Sequence, residues 1–307
     1  MSLDSGNMIV VDAPNGVTAL KFPEFDAIPW IRHGFSTRIG GVSKGIFESM
    51  NLSFGRGDPD ENVQENFRRF CGALDIDPET LVLSAQDHHT NILRVTREDC
   101  GKGIWREKPY ESIDGLVTND PGVALATFYA DCVPLYFVDP VHHAIGLSHA
   151  GWRGTVAEMG RKTVERMTSE FGSNPADLLA AVGPSIGPCC YEVDSVVIDA
   201  VRALGLPHEE ACFTEKGGGK YLLNLWEVNV QILKRAGILE KSITVAALCT
   251  CCEQDTLISH RATGGQRGGM AAVLSIYKEP EAPPAVKRRR KYGRKKPWEP
   301  VDHLYDV

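Results

Sequence analysis

Short apolar runs rich in β-branched residues recur at residues 8–11, 17–22, 81–85, 92–95, 116–118, 123–128, 135–138, 144–148, 178–182, 243–248 and 270–276, each about the length of a strand. Only three segments carry clear helix signals, and they do not alternate with the strands. A doubly wound parallel sheet needs a helix between successive strands, so this pattern predicts an α+β fold of mixed β-sheets flanked by helices. The first helix is expected to open at Asp58-Pro59-Asp60-Glu61, a side-chain cap with proline in the first turn. Its apolar stripe is Val63, Phe67, Phe70, Cys71 and Leu74. The second is expected at Thr155-x-x-Glu158, a capping box, with Val156, Met159, Thr163, Met167 and Phe171 on one face and Gly172 as its stop. The third runs from near Asn224 to Gly237.

The one composition break follows Tyr277. Glu279-Pro280-Glu281-Ala282-Pro283-Pro284 leads into residues 287–296, which hold eight basic and no acidic residues. The expected organisation is a single catalytic domain over residues 1–278, then a proline-containing linker and a solvated basic tail over 279–307. The net charge of −7 therefore hides a body of −15. An acidic body with a basic tail does not resemble a nucleic-acid-binding domain. No apolar run approaches the roughly 20 residues of a membrane-spanning helix, and the N-terminus lacks the pattern of a secretory signal. Nine cysteines at irregular spacing argue against a disulfide framework and for a reducing compartment, so a cytoplasmic protein is expected.

Three segments set metal-competent or charged residues beside tight glycine or proline turns. They are His33-Gly-Phe-Ser-Thr-Arg38-Ile-Gly-Gly41, Ala130-Asp131-Cys132-Val-Pro134 and Ser148-His149-Ala-Gly-Trp-Arg153-Gly154. A fourth, Gln86-Asp87-His88-His89, ends a predicted strand. Thiolate and imidazole are the ligands zinc prefers, and three protein ligands with one open position make a catalytic site. Spacing alone does not select the ligands, because a cysteine after Asp131 serves equally as a small core residue. Arg153 stands before a helix start, where backbone N–H groups and a guanidinium suit phosphate; a bare tight turn with a surface cation fits the same residues.

Taken together, HGFSTRIGG, Gln86-x-His88, DGLVTNDPGVAL, ADCVPLYF, SHAGWRGT and AVGPSIGPCCYEVD, in this order, resemble the laccase-domain family. That family was long labelled "multicopper polyphenol oxidase" and later reinterpreted as zinc-dependent purine nucleoside phosphorylases. The resemblance spans roughly residues 8–277. It implies an α+β fold related to a bacterial toxin deamidase with a Cys–His site, and a zinc ion held by His88, Cys132 and His149. It also implies phosphorolysis of adenosine, inosine, guanosine and methylthioadenosine, with adenosine deaminase side activity, so the expected partners are purine nucleosides and phosphate. Two positions depart from the family pattern. His89 stands where the family has glycine, at the pocket rim or as a competing ligand. Thr263-Gly264-Gly265-Gln266-Arg267 carries two additional residues before its arginine.

In that chemistry Cys132 and His149 are expected at the catalytic centre, and Arg38 and Arg153 to hold phosphate. Asp131 would orient a ligand or bind ribose hydroxyls. Trp152 and Phe35 are available to stack on a purine or to fill a core. A copper oxidase is poorly supported, since the chain has no His-x-His pair. A Cys/His hydrolase, such as an amidase editing cell-wall precursors, is the alternative, with Cys132 as a nucleophile activated by His149. His208-Glu209-Glu210 matches part of a zinc deaminase pattern, but Cys249-Thr-Cys-Cys252 lacks the preceding proline. Cys249-x-x-Cys252 is half of a structural zinc site, a redox pair, or ordinary buried or edge thiols. Cys189-Cys190 are neighbours in sequence, and neighbours seldom chelate one metal.

Overall fold

The computed structural model describes residues 6–277. The linker and basic tail expected over 279–307 lie outside the described residues. The first six-stranded sheet runs, edge to edge, β1 (Ile9–Asp12), β2 (Thr18–Lys21), β3 (Ile31–Ser36), β15 (Met270–Ile276), β7 (Ala124–Tyr129) and β4 (Leu81–Leu83). The second runs β14 (Ile243–Val245), β10 (Leu179–Val182), β8 (Val133–Asp139), β9 (Ala144–Ala150), β6 (Gly115–Thr118) and β5 (Ile92–Arg94). A small antiparallel sheet holds β11 (Glu192–Asp194), β13 (Lys220–Leu223) and β12 (Phe213–Gly217). Both large sheets are mixed, because β4–β7, β5–β6 and β10–β14 pair parallel while the other neighbours pair antiparallel.

The two large sheets pack face to face, and each carries helices on its outer face. Alternation along single strands builds the layers. Leu125 and Leu274 point into the inter-sheet core with Tyr136, Ile145 and Leu147. Their neighbours Ala124, Ala126, Ala271 and Val273 face helix α2 (Asp60–Ala73) through Val63, Phe67 and Phe70. On the second sheet, Leu135 and Phe137 face α4 (Met159–Phe171) and α6 (Leu225–Arg235) through Met159, Met167 and Ile232. Strands covered on both faces have no solvent side, which explains why β8 and β9 are buried at all seven positions each.

All eleven expected strands are present within one to three residues at each end. The expected caps fare unevenly. Asn224 caps α6 as foreseen, accepting from the Glu227 N–H, and Gly172 ends α4 with φ +75°. Asp58 does not cap α2. Its carboxylate accepts instead from Ser43, Asn51 and Asn62, tying down the loop before the helix. The expected capping box is absent. A separate short helix, α3 (Trp152–Val156), contains Thr155 in its interior, and the chain breaks at Glu158 (φ +57°) before α4 begins. Thr155 Oγ1 accepts from the Asn229 side chain on α6, so the residue joins helices rather than starting one.

Strands β3 and β11 to β13, and helix α5 (Ser195–Arg202), have no counterpart among the expected elements. In β3, His33 and Gly34 interrupt the apolar run and disguise a central strand. His33 Nε2 accepts the Phe22 N–H at 2.8 Å inside an aromatic cluster with Phe22, Phe25 and Tyr136. Burial pushes its pKa down to about 3, so it is a neutral core histidine.

Candidate metal centre

Strand register assembles the site before any side chain is considered. β8 and β9 pair antiparallel with Val133 opposite Ala150 and Pro134 opposite His149, so Cys132, just before β8, lies beside Gly151 at the same end. β9 and β6 pair with Ser148 opposite Gly115, which sets Asp114 against His149, and the His149 N–H donates to the Asp114 carbonyl at 2.8 Å. β5 runs parallel to β6, and the loop preceding it carries Gln86 to His89 to the same edge. Four adjacent strands, β8, β9, β6 and β5, thus bring residues 88, 132 and 149 to one end of one sheet.

There the imidazoles of His88 and His149 and the thiol of Cys132 converge, with ligand atoms all within 4.8 Å of one another. The two rings lie 4.9 Å apart at 58°. A Cβ at position 151 would sit 3.0 Å from both Cys132 Sγ and His88 Nδ1, so glycine there leaves the space the three ligands need. His88 and Asp131 both adopt left-handed backbone conformations, φ +71° and +85°. Strain of this kind is kept where the surroundings over-determine a functional geometry.

Asp114 organises the cluster, and sequence reasoning missed its role. It is fully buried, and one oxygen accepts from His149 Nδ1 at 2.7 Å. The carboxylate also accepts three successive backbone N–H groups, of Asp87, His88 and His89, each at 3.1 Å. One carboxylate therefore fixes the ring of one histidine and the backbone of the other, leaving His149 Nε2 free for a ligand. The only sequence signal was its place in the DGLVTNDPGVAL segment, ahead of a strand neighbouring that of His149. Burial opposes charge on His149, but the Cys132 thiolate and Asp114 outweigh it, and the pKa is pushed up to about 9. Burial and the nearby His149 hold His88 below its ordinary value.

The other expected residues divide. His89 is exposed and turned away, bonded to Asp87 at 2.8 Å and Ser112 at 2.6 Å, so it sits at the rim. Asp131 accepts from Thr250 Oγ1 at 2.7 Å and the Arg261 N–H at 2.6 Å. It holds the turn that carries Cys132, while the orienting contact to His149 comes from Asp114. Arg38 donates to the Glu48 and Gln254 carbonyls and lines neither cavity beside the cluster. Phe35 is fully buried in the inter-sheet core. Arg153 lies exposed over the Trp152 ring at 4.4 Å, and both line a cavity of about 70 Å³ with His88 and Cys132.

A larger cavity, about 670 Å³, is lined by all three ligands. Arg56, Lys108 and Arg267 line it. Lys108 is engaged with the Ser84 carbonyl at 2.7 Å. Arg267 is half-buried: it donates to the Gly268 carbonyl and meets His260 Nδ1 at 3.5 Å, while its Nε has no partner and no carboxylate among the described residues pairs with it. Burial, with Arg56 adding to it, pushes its pKa down to about 10. A partly desolvated guanidinium with no carboxylate in contact is costly, and an anionic ligand relieves that cost. The displaced Thr-Gly-x-x-Arg spacing therefore still delivers its arginine to the site.

Residues 32–277 match the family model described as multi-copper polyphenol oxidoreductase laccase. The purine nucleoside phosphorylase YlmD of Bacillus subtilis is 40% identical over 245 residues, covering 79% of this chain and 87% of that protein. The purine nucleoside phosphorylase YfiH of Escherichia coli is 35% identical over 228 residues, covering 74% and 86%. The crystal structure of YlmD from Geobacillus stearothermophilus superposes with a TM-score of 0.81 at 36% identity, covering 88% of this chain and all of that one. With a family match across most of its length and the same mixed-sheet fold in its relatives, the chain belongs to the multi-copper polyphenol oxidoreductase laccase family, which includes proteins named purine nucleoside phosphorylases.

Proposed function

We propose that residues 1–278 form one catalytic domain, a zinc-dependent purine nucleoside phosphorylase acting on adenosine, inosine, guanosine and methylthioadenosine, with adenosine deaminase side activity. The observation that carries this reading is the His88–Cys132–His149 group at the wall of a 670 Å³ cavity that is also lined by half-buried Arg267, whose Nε has no partner. Relatives named as purine nucleoside phosphorylases support the substrate class. Two imidazoles and one thiolate facing an open cavity suit zinc. A copper electron-transfer site of the same ligands takes a weak axial donor such as methionine, and no methionine lines either cavity. When bound, zinc supplies Lewis acidity and lowers the pKa of its water to about 7, the chemistry deamination at purine C6 requires.

The chain's own residues do the remaining work. Asp114 holds His149 in the tautomer that presents Nε2, and Asp131 fixes the turn bearing Cys132. Phosphorolysis brings a phosphate dianion to the ribose C1′ while the base departs with its electron pair. Arg267, which lines the large cavity, and Arg153, which lines the small one, are the two candidates to hold that anion and balance its charge. Arg38 is given a structural part, because its guanidinium is engaged with backbone carbonyls. Nine free thiols suit a reducing compartment, and we assign the enzyme to the cytoplasm. No described helix is long and apolar enough to cross a membrane.

The test is a nucleoside panel assayed with and without phosphate on the zinc-loaded chain. Release of free base and ribose 1-phosphate that depends on phosphate is expected; base release by water alone would overturn the reading. Arg267→Ala and Arg153→Ala should each weaken phosphate use about 10- to 150-fold, the value of one charge-assisted pair of about 1.5–3 kcal/mol. Deamination should change less in both, since it consumes water instead of phosphate. Equal losses in the two reactions would assign the residue to the nucleoside.

Zinc affinity should rise with pH. Binding requires neutral His149, whose pKa in the metal-free chain is raised to about 9. Protonation of His149 therefore opposes the metal below that pH, and affinity should gain at least about tenfold per unit from pH 7 toward 9. Competition titrations against a chelator of known protonation behaviour measure this. A flat profile would mean His149 is not a ligand.

A further inference from the structure

Four cysteines outside the catalytic group meet at one place in the fold. Cys189 and Cys190 lie in the loop between β10 and β11, and Cys249 and Cys252 in the loop after β14. Their sulfur atoms all lie within 4.8 Å of one another, with Cys189 and Cys190 at 3.4 and 3.5 Å from Cys252. We propose that Cys189, Cys190, Cys249 and Cys252 form a tetrathiolate site for a thiophilic divalent cation, zinc(II), separate from the His88–Cys132–His149 group.

The local backbone is shaped for such a site. A tight turn in which the Cys190 and Tyr191 N–H groups both donate to the Gly187 carbonyl brings two successive cysteines to the same side. Their adjacency in sequence argued against chelation of one ion, and this turn removes the objection. A second turn, closed by the Cys252 N–H on the Cys249 carbonyl, spaces the other pair as Cys-x-x-Cys, the spacing of structural zinc ligands. The Gly187 N–H donates to Cys249 Sγ at 3.2 Å, a contact that favours a thiolate. Position 187 needs glycine, because a Cβ there would lie 2.8 Å from the Trp226 ring and 3.1 Å from Cys249 Cβ.

Zinc–sulfur bonds of about 2.3 Å in a tetrahedron set sulfurs about 3.8 Å apart. The observed sulfurs lie 3.4 and 3.5 Å apart in two pairs and within 4.8 Å in all, none more than about 1 Å beyond that spacing, so the site closes by small side-chain rotations. All four are free thiols, and four converging thiolates without a cation would repel one another. Binding converts thiols to thiolates and releases their protons to water, with no change of oxidation state. Cys249 is buried, Cys190 half-buried, and Cys189 and Cys252 exposed, so the ion would sit at the surface. It would join two loops that serve the catalytic group: one carries Ile186 and Tyr191 to the small cavity, and the other carries Thr250 to Asp131.

Cobalt(II) is the probe, added to the reduced, full-length chain, because sulfur-to-cobalt charge-transfer absorption grows with the number of thiolate ligands. The wild type should bind two cobalt ions per chain. Cys132→Ala should retain about four-fifths of the thiolate signal, having lost one sulfur of five. The Cys189→Ser, Cys252→Ser double variant alters two exposed side chains and should keep about one-fifth while still loading the catalytic group. A signal that survives in Cys132→Ala and vanishes in the double variant supports this site even if the catalytic group holds no metal. A wild-type spectrum with a single thiolate ligand, an unchanged spectrum in the double variant, or a Cys189–Cys252 disulfide persisting in the reduced chain would each overturn the proposal.

Discussion

Cys132→Ala is expected to release about one zinc per chain and to lower both phosphorolysis and deamination by roughly a thousandfold or more, about 4 kcal/mol of transition-state stabilisation. A three-ligand site that loses its thiolate keeps two imidazoles, too few to retain the ion against competing buffer ligands. The fold should survive, because Cys132 is half-exposed and lies just ahead of β8 rather than within the core. A small stability change, under about 1 kcal/mol, is therefore expected from the side chain itself. Metal analysis of the purified variant, with rates measured on inosine and adenosine, checks the prediction. An unchanged number of metal ions per chain together with lost activity would turn the reading toward a Cys/His hydrolase, in which Cys132 attacks the substrate and His149 takes its proton.

The second large effect should come from a residue that touches neither cavity. In Asp114→Asn, one side-chain oxygen can still accept from His149 Nδ1, but the new amide presents N–H donors to backbone N–H groups of residues 87–89. The carboxylate now receives one ring donor and three backbone donors, and the amide cannot receive them all. Zinc affinity should fall about 10- to 100-fold, the usual cost of losing a carboxylate that orients a ligating histidine. Unfolding free energy should also fall by about 3 kcal/mol, since at least one buried charge-assisted bond is lost and a donor is left unsatisfied. Competitive zinc titration and denaturant unfolding separate the two components. An affinity within twofold of the wild type would show that the ligands are oriented by packing alone.

These two predictions differ in how far their residues could be read from the chain. Cys132 stands out in sequence as a thiol between an acid and a proline, and the resemblance to a known family singled it out with His88 and His149. Asp114 carries no such mark: an aspartate before a strand is commonplace, and its importance comes from register. The offset between β6 and β9, set by which apolar residues face the inter-sheet core, decides that its carboxylate meets His149.

Arg38 and Arg267 show the same division. Both lie in glycine-containing loops, and Arg38 sits in the more regular motif. The tertiary fold gave Arg38 to backbone carbonyls of two other loops, and brought Arg267 to the cavity with an unpaired Nε. Loop spacing does not encode where a long side chain ends, since a few dihedral angles redirect it by several ångströms.

What the sequence determined by itself is the α+β character, the positions of eleven strands, three of the helices and the segments that bear chemistry. These follow from local periodicity, from turn residues and from side chains whose ligand preferences are fixed. What only the tertiary structure decided is which of those segments meet. Thr155 became a bridge to α6 instead of a cap, His33 became a neutral core residue, and four cysteines 60 residues apart in two pairs came within 4.8 Å. Such contacts depend on strand order and on packing between layers, and both are properties of the whole chain's core rather than of any local run of residues.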